Sequence, residues 1–275
     1  MKYLDFHQHY GLLEYRATKV LYAGDHDQAF ERLILENCKK LDMIVAINGS
    51  GLHSGRYLIN KNDEVEIFFK KNPEYIIGVG YVDLDYDTPA YIDNLYKRGF
   101  KAIKAIFPSE RYDSKKYFGI YKRCEFYSLP ILFHSGIVAT EFYNGKEGVC
   151  SYNMHPLFLE GVSLNFPRLQ IVGAHLGTGN YATACALADT SRYSTNNIRF
   201  DISAADHYRE KIKEGNFIKK DIPVGNVIWG LDEPPTRYEE IINDWHKYFD
   251  KIGLTSEEKE MIFYKNACGI LNIKY

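Results

Sequence analysis

A chain of 275 residues with 45% hydrophobic side chains has enough apolar mass for a full core, as one large domain or two small ones. Its charges nearly cancel at −2, with no basic surplus and no aromatic-plus-basic stripe, which argues against a nucleic-acid partner. The five scattered cysteines (Cys38, Cys124, Cys150, Cys185, Cys268) suit reduced thiols, the first residues lack a signal-peptide pattern, and no apolar run approaches the ~18 residues of a membrane span, so a cytoplasmic protein with no membrane partner is expected.

Short apolar runs then alternate with longer amphipathic stretches. The first run, Tyr3 to His9, reads as a strand. Side chains two apart on a strand share a face, so His7 and His9 project together and could grip one metal ion. His-x-His is common by chance, and two imidazoles alone make a poor site, so the weight of this pair depends on what the rest of the chain adds. Asp25 to Leu41 reads as a helix, with Ala29, Phe30, Leu33, Ile34 and Cys38 at helical spacing. Met43 to Ile47 is a second strand, followed by the glycine-rich loop Asn48-Gly49-Ser50-Gly51. A helix capped by Asn62 or Asp63 runs to Lys71. Tyr75 to Val82 is the third strand. Thr88-Pro89 opens a helix that Gly99 closes. Phe100 to Phe107 is the fourth strand, and Lys115 to Ser128 a helix.

Ile131 to His134 is the fifth strand, Met154 to Phe166 a helix, and Leu169 to Ala174 the sixth strand. A helix over Tyr181 to Tyr193 leads to the seventh strand, Ile198 to Ile202, and a helix over His207 to Lys219 to the eighth, Val227 to Leu231. Two helices, Arg237 to Ile252 and Ser256 to Ile270, finish the chain. The strands are near-continuous apolar runs, as a parallel sheet covered on both faces requires. Eight strand–helix units in a chain close to the roughly 250 residues of a (β/α)8 TIM barrel predict that α/β fold, as a single domain over residues 1–275. A doubly wound open sheet is the alternative, although no strand is followed by a Gly-x-Gly-x-x-Gly turn.

Chemistry in such a barrel collects at the C-terminal ends of the strands. The first ends in His7-x-His9, the fifth in His134-Ser-Gly, the sixth in His175-Leu-Gly and the eighth in Asp232-Glu-Pro. Lys104 lies within the fourth. Imidazoles and a carboxylate are a typical donor set for Zn²⁺, Fe²⁺, Mn²⁺ or Co²⁺. Taken singly, each of His134 and His175 reads as a buried, hydrogen-bonded core histidine before it reads as a functional one, and Asp232 can be a loop or capping carboxylate. Their joint placement at strand ends is what favours a site.

These residues, with the stretch Asn165-Phe-Pro-Arg-Leu-Gln-Ile-Val-Gly-Ala-His175-Leu-Gly and Asn266-Ala267 in the last helix, resemble the amidohydrolase superfamily along essentially the whole chain. The likeness is to its amidohydrolase-2 branch, which includes the aminocarboxymuconate-semialdehyde and γ-resorcylate decarboxylases. The resemblance implies His7, His9, His134 and Asp232 as ligands of one divalent metal, zinc first, with manganese, iron or cobalt as alternatives, and no organic cofactor. It implies His175 as the catalytic residue, with Asp232 accepting a proton as well as ligating. The physics agrees: a bound metal lowers the pKa of water to near neutral, and an imidazole titrates in the range a general base needs.

Other residues stay open. Ala102, Lys104 and Ile106 share one strand face, whose direction the sequence does not give. Lys104 reads as a substrate anchor or structural lysine, with a carboxylated, metal-bridging role as the alternative. His53 and Arg56, and Arg111, lie in rim loops where a guanidinium could clamp a substrate carboxylate or simply be solvated. Glu141 and Asp206 share that rim with nothing to single them out. No cysteine stands at a matching strand end, so cysteine catalysis has no support.

The expected function is a metal-dependent hydrolase acting on an ester, lactone or amide of a small molecule. The alternatives are a metal-dependent non-oxidative decarboxylase of an aromatic or unsaturated acid, and a non-catalytic barrel with a structural metal. A small-molecule substrate is the expected partner, and a homo-oligomer fits as readily as a monomer.

Overall fold

A computed structural model describes residues 1–13, 15–16, 19–20, 26–53, 57–138 and 146–274; the side chains of 15–16, 19–20, 26, 51–53 and 57–59 fall outside that description. Eight parallel strands follow one another in sheet order: β1 Tyr3–His9, β2 Met43–Asn48, β3 Ile76–Val82, β4 Ala102–Ala105, β5 Ile131–Phe133, β6 Ile171–Gly173, β7 Ile198–Asp201 and β8 Val227–Ile228. The sheet rounds on itself. Phe6 N donates to Trp229 O at 3.2 Å and Asp232 N to His7 O at 2.8 Å, so the last strand meets the first. This is the (β/α)8 barrel the alternation predicts, not the open sheet.

Two shells of apolar side chains hold it. The outward faces of the strands, such as Val45, Ile47, Ile103, Ile131, Phe133 and Ile171, pack beneath the helices. The inward faces, Leu4, Phe6, Ala46, Val79, Ala102, Leu132, Val172 and Ile228, fill the barrel and meet Tyr264, Ala267, Cys268, Ile270 and Leu271 of the last helical segment. That segment plugs the N-terminal end. Full burial of each large aliphatic side chain is worth about 1.5–3 kcal/mol, so both shells contribute heavily.

The structure departs from the sequence reading in detail. The fourth, sixth and eighth strands are shorter than their apolar runs, because the run continues into the loop; Phe107, for instance, turns left-handed at φ 58°. The loop after β2 is an antiparallel hairpin, Ser50–His53 against Tyr57–Asn60. The helix expected from Met154 is a short turn, Ser151–Met154, then a helix over Phe158–Asn165, broken around Pro156. The last helix is not uniform: Thr255 caps Ser256–Glu260 through a capping box, a wider π turn covers Met261–Lys265, and Asn266–Leu271 is α-helical. The Ile262 carbonyl in the wide turn accepts from Trp229 N at 3.0 Å, which ties the plug to β8.

Candidate metal and catalytic site

A one-residue bulge in β1 makes the site. Asp5 pairs with Val45 and Gln8 with Ile47, so Phe6 and His7 together face the single residue Ala46. Without the extra residue, strict alternation from the inward Leu4 and Phe6 would turn His7 and His9 outward. The slip of one residue flips the remainder of the strand to the barrel interior. Asp5 and Gln8 take the outward positions. Asp5 accepts from His7 N and Leu231 N, both at 2.9 Å, and from Tyr238 OH at 2.6 Å, while Gln8 donates to Glu233 O at 3.0 Å.

The inward side chains of neighbouring strands converge on this pair. The His7 and His175 rings stack with centroids 4.9 Å apart, and His134 lies 4.9 Å from His175. Asp232 Oδ1 is 3.3 Å from His9 Nε2, and its Oδ2 is 3.6 Å from His175 Nε2. Lys104 is also inside, which settles the direction the sequence left open. Its ammonium donates to His7 Nε2 at 2.9 Å. All five predicted ligand and catalytic residues, and Lys104, are therefore in one cluster. Arg56 and the side chain of His53 lie outside the described residues, as does Glu141. Arg111 is spoken for elsewhere: it pairs with Asp113 at 3.1 Å and lies over Phe158. Asp206 pairs with Arg209 and with Arg237.

The ring nitrogens are sorted. His7 Nδ1 meets Asp201 Oδ2 at 2.9 Å, His9 Nδ1 the Ser50 carbonyl at 2.6 Å, and His175 Nδ1 the Ser203 carbonyl at 2.7 Å. A carbonyl or carboxylate only accepts, so each Nδ1 carries the proton and each Nε2 presents a lone pair inward. Burial holds the imidazoles neutral. Desolvation, with the Lys104 charge adding to it, lowers His9 to about 3 and His175 to about 4, and carries His7 and His134 well below the usual histidine range. His134 Nε2 is buried with no hydrogen-bond partner among the described residues.

Neutral imidazoles with inward lone pairs, one orphaned nitrogen and a carboxylate fit a divalent cation. One group of ligand-capable atoms, all within 4.8 Å of one another, joins His7, His175 and Asp232. His175 therefore stands together with two of the four expected ligands. Desolvation raises Asp232 well above the carboxylate range, and Lys104 opposes that rise. Burial brings Lys104 down to about 8, against the pull of Asp232 and Asp201. A cation at His7 Nε2 would compete with the lysine proton there.

Two site residues adopt unusual backbone. His175 (φ 59°) and its neighbour Leu176 (φ 47°) are left-handed, as is Asp232 (φ 49°). Each such non-glycine residue costs on the order of 1–3 kcal/mol and persists only where its surroundings dictate it. Asp201 and Ser203, which sequence reasoning passed over, supply part of that constraint. Their signal was present: Arg199, Asp201 and Ser203 put polar residues on alternate positions as β7 reaches its end.

Among the described residues no helix is long and apolar enough to cross a membrane. A family model described as amidohydrolase matches residues 60–273. No curated protein matches the chain in sequence. Solved structures do match in shape. One, described as a probable 2-pyrone-4,6-dicarboxylic acid hydrolase of Acinetobacter baumannii with citric acid bound, is 16% identical over 99% of this chain and 100% of that one, at TM-score 0.63. A 4-oxalomesaconate hydratase of Rhodopseudomonas palustris is 17% identical over 98% and 95%, at 0.58. A 2,6-dihydroxybenzoate decarboxylase of Rhizobium is 13% identical over 98% of each chain, at 0.62. Identities this low speak for the fold alone.

Proposed function

The chain belongs to the amidohydrolase family, a family of enzymes, and we propose that it is a metal-dependent hydrolase of an ester, lactone or amide of a small molecule. The observation that carries this reading is the set of neutral imidazoles whose Nε2 atoms turn inward around Asp232. His7, His9, His134 and Asp232 would hold the ion. When bound, the ion supplies Lewis-acid polarisation and lowers the pKa of water to near neutral. His175 moves the proton. Its Nδ1–H is committed to Ser203 O, so its Nε2 is free to take a proton from the attacking water and return it to the leaving oxygen or nitrogen as the acyl bond breaks. Asp232, 3.6 Å from that nitrogen, stabilises the imidazolium in between.

Decarboxylation of an aromatic or unsaturated acid is the second reading. Lys104, a buried ammonium inside the cluster, favours it, because it is a ready partner for a substrate carboxylate.

Elemental analysis of the purified protein beside a His175→Asn variant tests the assignment. About one zinc, manganese, iron or cobalt per chain is expected, kept by the variant while turnover is lost. Less than about a tenth of an equivalent after reconstitution would sink the metal reading. Carbon dioxide release from a carboxylated aromatic, with no ester or lactone turnover, would replace hydrolysis by decarboxylation.

A further inference from the structure

One carboxylate, contributed by a strand with no proposed ligand of its own, touches both halves of the site. Asp201 is fully buried at the end of β7. Its Oδ2 accepts from His7 Nδ1 at 2.9 Å. Its Oδ1 accepts from three donors: His175 N at 2.8 Å, Ser203 N at 3.0 Å and Ser203 Oγ at 2.6 Å. Ser203 continues the link. Its hydroxyl proton is spent on Asp201, so the oxygen is left to accept; it stands 2.9 Å from His7 Nδ1 and 3.1 Å from His175 Nδ1, while its carbonyl takes the His175 Nδ1 proton. The His175 N–H that Asp201 holds belongs to the left-handed turn at φ 59° and 47°.

We propose that Asp201 is a positioning residue for two imidazoles at once: Oδ2 sets the tautomer of His7, and Oδ1, with Ser203, pins the strained backbone that carries His175. This deepens the proposed function and rests on it for the roles of the two histidines. The consequence is specific. In Asp201→Asn, the amide has one acceptor and one donor edge. Three donors converge on the Oδ1 side and only one faces Oδ2, so the carbonyl stays with His175 and Ser203, and the NH₂ turns to His7. Two donors cannot face each other, so His7 is driven to surrender its Nδ1 proton and carry it on Nε2, where the Lys104 ammonium that donates at 2.9 Å must withdraw. The lone pair that points into the site is then closed. His175 and His9 keep theirs.

The test is ¹⁵N NMR of histidine-labelled protein, chelator-treated, read for which ring nitrogen carries hydrogen. Wild type should give the Nδ1–H form at His7, His9 and His175. Asp201→Asn should convert His7 alone to the Nε2–H form. On titration with Zn²⁺, the same variant should bind 10–100-fold more weakly, the size of loss typical when a ligand's supporting partner is removed. Ser203→Ala, which keeps the carboxylate, should keep the His7 tautomer and so separates the clamp from general loosening. Wild type with His7 in the Nε2–H form would overturn the proposal, and so would Asp201→Asn with the His7 tautomer unchanged. Because the spectra are taken without metal, a wild type that binds no Zn²⁺ would sink the proposed function while leaving the tautomer result to stand or fall by itself.

Discussion

At the N-terminal end of the barrel, Leu4, Ala46, Ala102, Leu132, Val172 and Ile228 meet Ala267, Cys268, Ile270 and Leu271 in an apolar layer. At the C-terminal end the same strands, two or three residues further along, carry His7, Lys104, His134 and the turn to His175. The strands are shared, so the contrast lies only in what each inward position is made of. The lower layer is stabilised by burial. The upper layer gathers four imidazoles, the carboxylates of Asp201 and Asp232 and the Lys104 ammonium, and holds His175 and Asp232 in left-handed backbone. One end supplies stability and the other draws on it.

Substitution should therefore separate the two ends. The largest effect is expected at the top. His175→Asn should lower turnover by about 10²–10⁴-fold, the range for losing a general acid–base group. It should lower the melting temperature little, because asparagine also accepts the left-handed region, which offsets part of the lost hydrogen bond to the Ser203 carbonyl. A variant that kept its rate, or that melted well below wild type, would erase the distinction.

Acid should act on the top end as well. An unfolded histidine takes a proton near pH 6.5, whereas His9 and His175 in the fold wait until about 3 and about 4. Between those values the unfolded chain binds more protons, so their stabilisation is complete above about pH 6.5 and is lost as pH falls toward 4. Asp5 works the other way. Burial raises it to about 6, so its contribution is present at low pH and disappears as pH rises through 6. Urea melts of chelated protein should show net loss of stability from pH 6.5 to 4, with a shallower slope in His175→Asn. Equal slopes would mean that His175 is not buried neutral.

At the bottom, Leu132→Ala should cost about 2–5 kcal/mol in the same melts, as buried leucine-to-alanine changes do. Its metal content should match wild type. Metal loss in step with stability would show that the two layers are not separable.

The sequence made this division partly legible. Eight apolar runs located eight strands, and the titratable residues stood out because they follow those runs directly, as in Leu132-Phe133-His134. The facing of Lys104 was not legible, since a short strand looks the same from either side until its neighbours and the plug fix the interior. Nor was the bulge in β1. His7 and His9 share a face in any register, but only pairing with β2 decides whether that face is the inside. Asp201 was marked only by the polar alternation at the end of β7; that its partners are His7, His175 and Ser203 comes from folding, not from spacing.

The smallest and sharpest change joins both ends of the comparison at the seam. Gly230 follows β8, and a methyl built there would stand 2.8 Å from His7 Cβ and 3.2 Å from Ser203 Cβ. Neither neighbour is the tip of a flexible side chain, so the seam between β1 and β8 must widen. Gly230→Ala should cost only about 1–3 kcal/mol, the usual penalty for overpacking by one methyl. It pushes directly on the residue that the bulge and Asp201 aim inward, so metal affinity should fall further than stability does. Leu132→Ala should give the reverse ratio, more stability lost than affinity. If calorimetric metal titrations and urea melts ranked the two variants in the same order, the upper layer would be simply a continuation of the core.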